Sequence, residues 1–70
     1  MRDEKLQHLI NQYGRENLVP ISFIKQQLFY AKHGCQPKFI WEKETEQGIL
    51  TCWYLKSEIA YAKSEWDKTR

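Results

Sequence analysis

Apolar residues recur along this chain with a helical period at both ends and a strand-like density in between. Leu6, Leu9, Ile10 and Tyr13 fall at i, i+3, i+4 and i+7, the stripe of an amphipathic helix over Asp3 to Tyr13. Asp3 and Glu4 stand at its positive end, and Gly14 sits where a C-terminal glycine cap would. Arg15 to Ile21 reads as a connector, because Asn17 favours a turn and Pro20 pushes Val19 out of helical geometry. Ser22 can cap a second helix running to about His33, or the helix can start earlier with Pro20 at its first position; Phe23, Ile24, Leu28 and Ala31 give its apolar stripe and Gly34 its stop. Phe29 and Tyr30 widen that apolar surface, so this helix is expected to be touched on more than one side.

Beyond Pro37 the pattern changes. Lys38 to Lys43 and Ile49 to Leu55 are short runs of aromatic, β-branched and aliphatic residues separated by a polar segment ending in Gly48, which predicts a β-hairpin. Alternation sets Phe39 and Trp41 on one face of the first strand, the face expected to meet the core. In the second strand Ile49, Thr51, Trp53 and Leu55 oppose Leu50, Cys52 and Tyr54, and loop length alone leaves the register open. Ser57 can cap a last helix from Glu58 to about Asp67, with Ile59, Ala62 and Trp66 on one side. The expectation is a small single α+β domain over residues 1–70, ordered ααββα: two helices, a β-hairpin and a C-terminal helix.

Size and composition narrow the function classes. At 70 residues, with 41% hydrophobic and 29% charged positions, the chain is globular but its core is thin, leaving room for a partner or self-association to contribute to the working fold. Charged residues follow Met1 and no apolar run reaches the roughly 18 residues of a membrane span, so a cytoplasmic, soluble protein with no membrane partner is expected. In that compartment Cys35 and Cys52 are expected as free thiols. His8, His33, Cys35 and Cys52 are residue types that zinc accepts, yet they lack the close ligand pairs of a structural zinc site, so no metal or other cofactor is expected. Phosphate loops, H-E-x-x-H and G-x-S-x-G are all absent from the sequence, which points away from an enzyme and from any catalytic set.

Two binding readings remain. Lys25 and Lys32 are seven residues apart on one helical face with Gln26 and Gln27 beside it, and Lys38 and Lys43 end the first hairpin strand. A hairpin after two helices outlines a winged-helix-like module, with the second helix presented to nucleic acid and Lys43 to Gln47 as the wing tip. The leading expectation is therefore a small regulatory protein binding DNA or RNA through Lys25, Gln26, Lys32, His33, Lys38 and Lys43, although Glu42, Glu44 and Glu46 would repel phosphate at the tip. From Ser22 onward, Ala31-Lys32-His33-Gly34, Pro37-Lys38-Phe39 and Lys56 to Lys63 resemble a double-stranded RNA-binding domain. The sequence lacks that pattern's third strand and its basic cluster opening the last helix, so the chain is not assigned to it. The alternative is a protein-binding adaptor or inhibitor using Leu50, Cys52, Trp53 and Tyr54 of the hairpin. In that reading the chain can also form a homodimer in which the second strand pairs edge to edge with its copy.

Overall fold

The computed structural model describes residues 2–43 and 45–69, and it is an α+β domain of three α-helices and a three-stranded antiparallel sheet. In chain order these are α1 (Arg2–Tyr13), a 3-10 turn (Arg15–Asn17), β1 (Leu18–Ile21), α2 (Ile24–Lys32), β2 (Phe39–Glu42), β3 (Leu50–Leu55) and α3 (Lys56–Thr69). The order is αβαββα, not ααββα. The segment expected as a connector supplies the extra strand, and the sheet runs β1-β3-β2 with β3 in the middle.

The ladder explains how Pro20 can sit in a strand. Lys43 N–H donates to Ile49 O at 2.7 Å, which fixes the alternation so that Thr51 and Trp53 of β3 turn their backbone groups towards β2, and Cys52 and Tyr54 turn theirs towards β1. Ile21 opposite Cys52 and Val19 opposite Tyr54 are therefore the bonded pairs of β1, and the backbone nitrogen of Pro20, opposite Trp53, faces away from β3. A proline there costs no ladder bond. The same alternation turns the N–H and C=O of Ile40 towards the open side of β2.

Opposite residues share a face, so Val19 joins Tyr54 while Ile21 and Ile40 flank Cys52 on one side of the sheet. This side carries the core. Cys52 and Tyr54 pack with Tyr30 of α2 and with Ile59 and Ala62 of α3, and Phe29, Cys35 and Trp66 close around them. The Tyr30 and Tyr54 rings meet edge to face with centroids 5.2 Å apart, a geometry worth about 0.5–1.5 kcal/mol beyond area burial. The Phe39 and Trp41 face, expected to meet this core, is the other one. There the two rings stack at 5.8 Å beside Trp53, all half-buried, and Leu18 lies buried opposite Leu55.

Helix ends follow local chemistry. Gly34 N–H donates to Ala31 O and Cys35 N–H to Tyr30 O, the paired bonds of a Schellman stop, with Gly34 at φ +78° as the expected terminator of α2. At the other end Phe23, not Ser22, occupies the cap position and offers no side-chain bond. The register places Ser22 beyond Ile21 and opposite Thr51, and the two hydroxyls bond at 2.9 Å. Helix α3 begins at Lys56, directly after β3, with Lys63–Asp67 and Lys68–Glu65 pairs near its end.

Candidate interaction surface at the start of α2 and the hairpin tip

Helix α2 presents two sides. Gln27 and Tyr30 are buried, and Gln26 is half-buried with its Nε2 donating to the Tyr30 hydroxyl at 2.9 Å. Gln27 fastens the helix to the sheet: its Nε2 donates to Ile21 O at 2.8 Å and to Leu50 O at 2.9 Å. β1 has turned away after Ile21, so this amide takes the carbonyl of Leu50 that a longer β1 would have bonded.

With Gln27 and Tyr30 inward, the stripe of Ile24, Leu28 and Ala31 must face out. Phe23, Ile24 and Leu28 are between 53% and 58% exposed. This reverses the expectation that Phe23, Ile24 and Leu28 pack inward. Gly48, Ile49 and Leu50 stand against the first turn of α2 and, with Ser22, Phe23, Ile24 and Gln27, line a shallow cleft of about 340 Å³. Ile49 and Leu50 are also exposed. Phe23 is backed by Trp66 at 6.1 Å between ring centroids, so the rim of the cleft is a supported side chain.

Charge borders this apolar surface on one side. At 100° per residue Lys25 and Lys32 fall next to Leu28 on the side of α2 away from the hairpin, and both are exposed. No ion pair forms at either lysine among the described residues. Across α2, the order is hairpin tip, cleft, Leu28, lysines.

The other residues predicted for nucleic acid are placed elsewhere. Lys38 Nζ is 3.0 Å from Glu58 Oε2 and 5.9 Å from the Tyr13 ring centroid; the hydrogen bond to Glu58 holds its ammonium above the usual lysine range. His33 stacks on Phe29 at 4.3 Å and its Nδ1 lies 3.0 Å from Phe29 O. Lys43 is half-buried at the start of the hairpin loop, where Gly48 N–H donates to Glu42 Oε2 at 2.9 Å. Glu44 of the expected wing tip lies outside the described residues. Of the predicted protein-facing set, Leu50 is exposed, Trp53 is half-buried on the far side of the sheet, and Cys52 and Tyr54 belong to the core. Nor is the second hairpin strand free to pair with a copy, since as β3 it has a neighbour on each side.

Both cysteines are free. Burial pushes the Cys52 thiol up, with the Tyr54 hydroxyl partly offsetting it, and the Tyr54 hydroxyl is itself driven upward by burial and then by Cys52. Cys35 donates weakly to Glu58 O at 3.6 Å, and its thiol is raised by burial and then by the Glu58 charge. Among the described residues no three His, Cys, Asp or Glu side chains gather as a metal site requires, and no helix is long and apolar enough to cross a membrane. A larger hollow of about 680 Å³ is lined by Glu4, Lys5, Gln7, His8 and Asn11, all on α1, and so is one polar helix side rather than a walled site. Compared with known protein families, with curated proteins and with solved structures, the chain matches none.

Phe23, Ile24 and Leu28 were absent from the residues predicted to bind. The signal for them lay in α2 itself: Tyr30 and Phe29 lie off the Ile24-Leu28-Ala31 stripe, and a helix of nine residues with two apolar sides, on so small a domain, can bury only one.

Proposed function

We propose that this protein is a non-enzymatic binding module. It takes an acidic amphipathic segment of another protein into the cleft between the first turn of α2 and the hairpin tip. The observation carrying this reading is the contiguous exposure of Phe23, Ile24, Leu28, Ile49 and Leu50, an apolar patch of the kind that marks interaction sites on small soluble domains. Lys25 and Lys32 along one border supply the charge preference: apolar anchors enter the cleft while carboxylates meet the ammonium groups. Regulation of the partner, as adaptor or inhibitor, follows from occupying that segment.

The second reading is the winged-helix-like use of α2 and the hairpin on DNA or RNA, and the same two lysines favour it. It has less behind it. Lys38 is engaged by Glu58, Gln26 by Tyr30, one helix rather than a helix-turn-helix pair lies between β1 and β2, and Glu42 and Glu46 stand at the hairpin end.

Titrating a fluorescent peptide of alternating leucine and glutamate turns, its lysine counterpart, and short duplex DNA and RNA distinguishes the two. Saturable binding of the acidic peptide, lost in Leu28→Glu and only weakened in Lys25→Glu/Lys32→Glu, is expected. Binding of a duplex with steep salt dependence and no sensitivity to Leu28→Glu would replace this proposal by the nucleic-acid reading.

A further inference from the structure

The two edges of the sheet are not equivalent. Along β1 the outward positions include Pro20, which cannot donate to an added strand. Along β2 the N–H and C=O of Ile40 face outward, and the side chain of Ile40, a large aliphatic, is 50% exposed. The α2 and α3 layer lies on the same side of the sheet as Ile40 but leaves it uncovered. An edge open in both backbone and side chain is a template for one more strand.

The residues along that edge specify which strand fits. Read forward they are Phe39, Ile40, Trp41 and Glu42, with Lys38 just ahead of the strand, its N–H turned inward to Trp53 O at 2.7 Å. Laid antiparallel on itself about Ile40, the strand puts Ile40 opposite Ile40 and Phe39 opposite Trp41, and brings Lys38, next to the strand, alongside Glu42 at both ends. Every cross-strand pair is then aliphatic, aromatic or oppositely charged, the combinations that stabilise neighbouring strands. Centring the pair on Glu42 instead would set two carboxylates face to face.

We propose that a second copy of this chain pairs with the β2 edge in this register, giving a two-fold dimer with a continuous six-stranded sheet, β1-β3-β2-β2-β3-β1. Ile40 N–H of each protomer donates to Ile40 O of the other across the axis. The two Ile40 side chains fill the valley between the two helical layers. Phe39 and Trp41, already stacked within each protomer, extend into a row of four rings on the opposite face. Lys38, held by Glu58 at 3.0 Å, and Glu42, whose Oε2 accepts from Gly48 N–H at 2.9 Å, add opposite charges at each end of the seam. A strand of four residues makes a small interface, so association depends on concentration. The surface is separate from the cleft at the start of α2, and the dimer stands or falls independently of what that cleft binds.

Sedimentation equilibrium with charge-swapped variants tests the register. Wild-type protein is expected to move from monomer to dimer as its concentration rises. Lys38→Glu alone sets Glu against Glu42, and Glu42→Lys alone sets Lys against Lys38, so each should weaken self-association about tenfold or more. Mixing the two variants in equal amounts restores both opposite-charge pairs and is expected to restore the dimer. Ile40→Lys, at an exposed position the monomer does not need for its core, should abolish the dimer while the amide spectrum keeps its native dispersion. Wild-type protein that stays monomeric throughout, single variants that dimerise as wild type does, or a mixture that fails to recover would each overturn the proposal.

Discussion

Gly34 shows how much of this fold rests on single backbone positions. Its φ of +78° closes α2 through two hydrogen bonds and aims Cys35 back at Tyr30, and open space surrounds the position where a Cβ would go. Gly34→Ala therefore adds no clash and isolates the conformational cost, expected at about 1–2 kcal/mol in chemical denaturation. A loss near zero would mean that the stop is not held in the left-handed region. Gln27 makes a different point. It is a buried amide that spends both hydrogens on carbonyls of two strands, and Gln27→Leu leaves Ile21 O and Leu50 O without that donor, for an expected loss of about 1–3 kcal/mol. Since the same amide floors the cleft, Gln27→Leu should also weaken the acidic peptide more than Gln26→Leu does.

Elements with one period and one exposed side were legible in the sequence. The stripe of Leu6, Leu9, Ile10 and Tyr13 forms α1 and ends at Gly14, and the two apolar runs around Gly48 form the hairpin of β2 and β3. What escaped had a physical reason in each case. Pro20 argues against a strand in general but not at an edge position whose nitrogen faces away from its neighbour, so β1 read as a connector and β3 read as an edge. Once β3 is central, its register is held from both sides, and Cys52 and Tyr54 rather than Trp53 turn to the helices. Helix α2 carries apolar residues on two sides, and periodicity favoured the stripe of Ile24, Leu28 and Ala31 that the fold leaves outside. The candidate surface was therefore half visible: Lys25, Lys32 and Leu50 were singled out, while Phe23, Ile24 and Leu28 were assigned to the core.

For the whole molecule, the buried ionisable groups set a pH limit. Cys52 and Tyr54 hold their protons more tightly folded than unfolded, as does Cys35, so each contributes stability that is complete below the ordinary values of 9.0 for the thiols and 10.0 for the phenol and is lost as pH rises through the higher folded values. Denaturation midpoints measured across alkaline pH are expected to stay level up to about pH 8 and then fall; a midpoint that rises above pH 9 would contradict the burial of Cys52 and Tyr54. The proposed dimer would set both clefts on the same side of one sheet, because a two-fold axis perpendicular to the sheet keeps each helical layer on its own side, and a bivalent partner would then gain avidity without any new contact. The most direct measurement of the central claim is a backbone amide shift map during titration with the acidic leucine peptide. The largest changes are expected on Phe23 to Leu28 and on Gly48 to Leu50, with Lys32 at the border. Changes confined to α1, to Trp53 and its neighbours, or to no coherent surface at all would contradict it.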